Sequence, residues 1–230
     1  QPTEILTPIA LEVSEIKDIV KDFKQAALNA KEANFDGVEV HMANGYLLDQ
    51  FLQDGSNQRT DEYGGSVANR MKFPLEVLDT VIDVWGKDKV GVRLSPYGTF
   101  NDVSDSDPVN LFNQVIEEFN KRGIVYINMI EPRATSAGGD DNINDKAVCT
   151  SDLFRDKFNG MFISSGGYKP ETAEEALNNN KADAIMFGRW FISNPDLPER
   201  IAKKAELNKY DRATFYGGDE KGYTDYPFLS

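Results

Sequence analysis

Apolar residues recur along this chain in two alternating rhythms. Short runs rich in β-branched residues, at 35–41, 89–95, 124–130, 159–165 and 182–187, alternate with stretches whose apolar residues fall three or four positions apart, at 13–33, 67–85 and 171–177. The first rhythm predicts strands and the second amphipathic helices. Asp107-Pro108 places an N-capping residue before a proline suited to the first helical turn, so a further helix is predicted from there to about Lys121. Strand followed repeatedly by helix implies parallel strands joined by right-handed crossovers, which leaves a doubly wound sheet or a (β/α)8 barrel.

The glycines choose between them. A dinucleotide-binding sheet carries G-x-G-x-x-G after its first strand, and none occurs there. Ser165-Gly166-Gly167 and Gly188-Arg189 instead follow the last two predicted strands, the phosphate-binding arrangement of many barrels. The reading is an α/β chain of the TIM-barrel class in a single domain, 1–230. A barrel of this type has eight strands, and about five are legible. The expectation is therefore an incomplete barrel carrying about the last five βα units, from a truncated protein, an incomplete gene model or one part of a split protein. On that reading Val38, Val40, Val90, Val92, Ile127 and Met129 include side chains whose interior partners lie on absent strands, and the chain is expected to be poorly stable or associated.

Charge narrows the partners. With 38 acidic against 25 basic residues and a net charge of −13, the chain would repel nucleic-acid phosphates and anionic membrane surfaces. One cysteine, Cys149, excludes an internal disulfide framework and a multi-cysteine zinc site, and one histidine, His41, excludes a histidine pair for a metal. There is no apolar run near 20 residues and no signal-peptide pattern, so the expected location is cytoplasmic.

The strand predicted at 35–41 ends in a polar cluster, His41, Asn44 and Tyr46, at the strand end where such enzymes place their chemistry. A lone histidine is by itself more often a satisfied structural residue. The continuation adds more. Gly45-Tyr46-Leu47-Leu48-Asp49-Gln50-Phe51-Leu52, then Asn57-Gln58-Arg59-Thr60-Asp61-Glu62-Tyr63-Gly64-Gly65-Ser66 and Asn69-Arg70, closely resembles the signature of the old yellow enzyme family of FMN-dependent ene-reductases. The chain is most similar there to plant-type oxophytodienoate reductases and their microbial relatives. The resemblance runs from about Val13 to the C-terminus and includes Phe187-Gly188-Arg189-Trp190-Phe191 followed by Asn194-Pro195-Asp196-Leu197.

The resemblance implies FMN as cofactor, NADPH or NADH as electron donor, and a small enone as substrate whose C=C bond is reduced. It implies that His41 and Asn44 hydrogen-bond the substrate oxygen where negative charge develops, with Asn44 standing where the plant enzymes often carry a second histidine. It also implies that Tyr46 gives a proton to the α-carbon, which a phenol can do at neutral pH. Arg93 would face the pyrimidine and ribityl edge of the flavin, and Tyr216 would line the substrate pocket. Ser165, Gly166, Gly167, Gly188 and Arg189 would hold the phosphate through backbone N–H groups and a guanidinium. Residue by residue, other readings stay open: a loop cap for Asn44, a packing aromatic for Tyr46, a salt bridge for Arg93, and core for Tyr216. The polar loops 101–107 and 135–146 are expected to shape substrate access. For the chain as a whole, the alternatives are a non-redox phosphate-binding barrel enzyme and an inactive remnant. Association with a missing N-terminal segment, or with further copies of the chain, is a further partner reading for the incomplete barrel.

Overall fold

The computed structural model describes residues 8–134, 142–144 and 146–229. Most of the predicted access loop 135–146 lies outside them. Five strands, β1 Val38–Met42, β2 Val90–Leu94, β3 Tyr126–Ile130, β4 Met161–Ser165 and β5 Ala184–Met186, form one parallel sheet in the order of the sequence. A doubly wound sheet reverses its strand order at a switch point. This one never does, so it is an arc of a barrel. The longer helices are those the sequence anticipates, α1 Val13–Glu32 before the first strand and α3 Val67–Trp85, α4 Pro108–Arg122 and α6 Pro170–Asn178 between strands. Four shorter ones, α2 Leu47–Leu52, α5 Thr150–Phe154, α7 Arg189–Ser193 and α8 Leu197–Lys203, had no periodic signal to announce them.

Local chemistry fixes the helix ends. The Asp107 side chain accepts the Asn110 N–H at 3.1 Å with Pro108 next to it, and Gly123 closes α4 in the left-handed region at φ 66°. Ser66 caps α3 by accepting from the Asn69 N–H. The first strand begins later than its apolar run suggests. Asn34 turns the chain at φ 62°, the Phe35 N–H closes back on the Ala30 carbonyl, and Phe35 is left 65% exposed before Val38.

Strand alternation reverses one expectation from sequence. Val40, Val90, Val92, Ile127 and Met129 are all buried, in one core with Phe73, Val77 and Leu78 of α3 and with Phe112, Val115 and Phe119 of α4. They face the helical layer, and Val38, half-buried, packs against the same core. Their partners are therefore present, and the stability loss expected for them does not arise from these side chains. The opposite, concave face of the sheet carries polar side chains on β1 to β3, among them Glu39, Arg93 and Asn128. Glu39 accepts from the Asn128 amide at 3.0 Å, and burial together with the Glu39 carboxylate pushes the Tyr126 phenol up to about 12. The Tyr126 ring lies where a side chain on Gly91 would be, its Cζ 2.2 Å from the position of a Cβ, so only glycine fits on β2 at that point. Among the described residues, no helix is long and apolar enough to cross a membrane, and no group of three or more metal-ligating side chains occurs.

Candidate active site

A cavity of about 1170 Å³ opens at the C-terminal ends of the strands. Its lining brings together Asn44, Tyr46, Arg93, Ser165, Gly166, Gly167, Gly188, Arg189 and Tyr216, which come from segments far apart in the chain. His41 does not line it. The imidazole is half-buried on β1 opposite Arg93 of β2, with its ring 5.5 Å from that of Tyr46. Tyr216 is 78% exposed at the cavity, so it belongs to the pocket and not to the core.

After β1 the chain turns through Asn44 at φ 57° and Gly45 at φ 66°, both left-handed. A Cβ on Gly45 would stand 2.0 Å from the Phe100 carbonyl, so the β2–α4 loop presses directly on this turn. Tyr46 then enters α2 as its N-cap, with its ring 6.3 Å from Phe100 and half exposed.

Two residues that shape this turn were missed from the sequence. Asp49, fully buried, accepts the Gly45 N–H at 2.9 Å and the Ser95 hydroxyl at 3.3 Å, while Ser95 Oγ accepts the Asn44 N–H at 2.7 Å. The available signal was Asp49 itself, the one charged residue in the apolar run Leu47–Leu52. Much of the remaining signature is architectural. The Asn57 amide donates to the carbonyls of Phe51 and Tyr63, and Arg59 pairs with Asp61 while also donating to the Leu11 carbonyl.

On the other side of the cavity, β4 ends in Gly166 and Gly167, at φ 107° and 68°. A Cβ on Gly166 would come within 2.7 Å of the Glu131 carbonyl, so this turn admits glycine alone. Arg133 donates through Nε to the Gly166 carbonyl at 2.8 Å and stacks 4.1 Å above the Tyr168 ring, which braces the turn from β3. Outside the strand ladders, the N–H groups of Gly167 and Gly188 donate no hydrogen bond among the described residues, and a Cβ on Gly188 would meet nothing within 4 Å. Arg93 Nε is buried and has no hydrogen-bond partner among the described residues. A buried guanidinium nitrogen left unpaired is costly, and it marks a position suited to an acceptor on a bound molecule.

Electrostatics sets the state of His41. Burial first, and then the Arg93 cation, lowers its imidazole below the ordinary 6.5, with Glu39 acting in the opposite sense. The ring is neutral at neutral pH and keeps one N–H to donate. The folded protein thus binds this proton more weakly than the unfolded chain. The stability contributed is full above 6.5 and is lost as pH falls through 6.5 toward the lowered value. Because His41 is the only histidine, an NMR titration of its ring protons reads the effect without ambiguity; the expected midpoint is below 6.5, and one at or above it would remove this reading.

Comparisons with known proteins agree on one family. The NADH:flavin oxidoreductase / NADH oxidase family profile matches residues 2–208. The 12-oxophytodienoate reductase 2 of Arabidopsis thaliana is 49% identical over 225 residues, covering 96% of this chain and 59% of that protein. A putative 12-oxophytodienoate reductase 10 of Oryza sativa subsp. japonica is 48% identical over 232 residues, covering 100% of this chain and 73% of that protein. Among solved structures, morphinone reductase in complex with tetrahydroNAD superposes with a TM-score of 0.89 at 46% identity, over 100% of this chain and 60% of that one. This chain thus spans 59% of the Arabidopsis relative's length.

Proposed function

The chain belongs to the NADH:flavin oxidoreductase / NADH oxidase family, the old yellow enzymes, and from that premise we propose that it serves NAD(P)H-dependent reduction of the C=C bond of α,β-unsaturated carbonyl compounds through FMN. The observation that carries this reading is the single cavity onto which Asn44, Tyr46, Arg93, the Gly166-Gly167 turn and Gly188-Arg189 converge. When bound, FMN supplies the hydride for the β-carbon of the alkene, having taken it from the nicotinamide.

Every other part falls to side chains and backbone. The Gly167 and Gly188 N–H groups and the Arg189 guanidinium would hold the phosphate, with Gly166 and Ser165 shaping the turn. Arg93 offers its unpartnered Nε to an acceptor on the ring edge. The Asn44 amide and the neutral His41 imidazole donate to the substrate oxygen, where they stabilise the charge that develops as the β-carbon is reduced. The Tyr46 hydroxyl delivers the proton to the α-carbon. Tyr216, exposed at the cavity, bounds the substrate. The reading takes residues 1–230 as one domain.

Titration of the protein with FMN, followed by flavin fluorescence quenching, tests the proposal. Arg189→Ala is expected to weaken binding by about 1.5–3 kcal/mol, the scale of a hydrogen bond to a charged group. The loaded protein should be bleached by NAD(P)H and regain its colour on adding an enone. Unchanged affinity in the variant would reject the phosphate assignment, and a folded protein that leaves FMN fluorescence unquenched would favour the non-redox phosphate enzyme instead.

A further inference from the structure

We infer that Asp49 is a positioning residue, which clamps the Asn44–Gly45 turn through two successive backbone N–H groups and thereby aims Asn44 and Tyr46 at the cavity. The clamp has two arms. One is direct, from the Gly45 N–H to Asp49 Oδ2 at 2.9 Å. The other runs through a hydroxyl: the Asn44 N–H donates to Ser95 Oγ at 2.7 Å, and that hydroxyl donates to the same Oδ2 at 3.3 Å. Ser95 has one hydrogen to give, so its arm works only if the group at Asp49 accepts. Oδ1 is occupied by the Gln53 amide at 2.8 Å, which fixes the carboxylate plane from one turn further along α2.

The clamp costs stability. Asp49 is fully buried and has no cationic partner among the described ion pairs, and burial pushes its carboxyl up to about 6 in spite of the hydrogen bonds from Gln53, Gly45 and Ser95. A leucine would fill this position in a helix whose neighbours are Leu48, Phe51 and Leu52, all buried, without burying a charge. What a leucine could not supply is an acceptor for a turn with two consecutive left-handed residues, one of them Asn44. An uncompensated buried carboxylate at the root of a cavity-lining turn is understandable if the geometry of that turn matters.

The inference rests on the proposed roles of Asn44 and Tyr46, and its test separates the two. Asp49→Leu removes both arms while relieving the buried charge. Asp49→Asn keeps one oxygen for Gly45 and Ser95, and its NH2 can meet the carbonyl oxygen of a flipped Gln53 amide. In the folded chain, hydrogen exchange of the Asn44 and Gly45 amides, read by NMR, is expected to accelerate at least tenfold in Asp49→Leu and to stay within threefold of the parent in Asp49→Asn. In the FMN-loaded protein, Asp49→Leu should slow reoxidation by an enone at least tenfold and leave reduction by NAD(P)H within twofold, with Asp49→Asn restoring the rate. Unaltered amide exchange in Asp49→Leu, or an Asn variant as defective as the Leu one, would overturn the clamp. Should Asp49→Leu fail to fold, Ser95→Ala removes the Asn44 arm alone and must accelerate exchange of the Asn44 amide, or the inference falls. If Tyr46→Phe leaves reoxidation untouched, the catalytic reading fails, while the exchange data still decide whether Asp49 holds the turn.

Discussion

Tyr46→Phe is expected to slow reoxidation of the reduced flavin by an enone by about 10²–10⁴-fold, the range for a positioned general acid, while reduction by NAD(P)H keeps its rate. The asymmetry follows from what each half-reaction needs. Taking hydride from a nicotinamide requires no proton at carbon, whereas saturating an alkene requires one at the α-carbon. Tyr46 is well placed to give it: half exposed, lining the cavity, and set at the start of α2 by a turn that Asp49 and Ser95 hold from beneath. Phenylalanine preserves the ring contacts with His41 at 5.5 Å and Phe100 at 6.3 Å, so folding and FMN affinity should be spared. Stopped-flow absorbance separates the halves. Equal slowing of both would make Tyr46 a packing residue.

The second large effect concerns stability. Arg70→Ala should cost about 3–5 kcal/mol, the usual penalty for removing one partner of a buried ion pair. Arg70 Nη1 lies 2.5 Å from Asp105 Oδ2 and also donates to the Leu52 carbonyl, and Nε donates to the Gly65 carbonyl at 3.3 Å. The two side chains are 5% and 1% exposed. Asp105 in turn accepts from the Asp54 and Asp107 N–H groups at 3.0 and 2.9 Å. This one pair therefore joins the end of α2, the turn before α3 and the β2–α4 loop. Without the guanidinium, the carboxylate stays buried and unneutralised, which is why the loss exceeds that of an exposed pair, at about 0–1 kcal/mol. Denaturant unfolding measures it. Replacing both partners with apolar residues of similar volume should recover much of the loss, and a single-variant cost below about 1 kcal/mol would show that Asp105 finds water or another donor.

The long helices were legible because they answer to their own sequence. The rhythm of Val67–Trp85 and the Asp107-Pro108 start are local signals, and the structure places α3 and α4 accordingly. Alternating strands and helices with late glycine turns also sufficed to choose a barrel, and the sequential strand order agrees. The helices of five to seven residues escaped, since so few positions complete no apolar period. Strand faces could not be assigned either. Period-two alternation separates Val40 and Val92 from His41 and Arg93, but nothing local says which set meets the helices. Packing against Phe73 and Phe112 decided that, and the valines assigned to a barrel interior lie under the helical layer.

The candidate site divides in the same way. The chain by itself determined which residue types stand at the strand ends: His41, Asn44, Tyr46, Arg93, the Gly166-Gly167 turn, whose backbone angles favour glycine, and Gly188-Arg189. Only the tertiary structure decided that β1 and β2 pair with His41 opposite Arg93, that His41 is half-buried with a lowered imidazole pKa, and that Arg93 is left with an unpaired Nε among the described residues. It also brought Ser95 beneath Asn44 and next to Asp49, residues 51 and 46 positions apart in sequence. Hydrogen bonds over such separations depend on register and on what is buried, and both are set by the packing of the whole sheet against its helices, which no window of sequence contains.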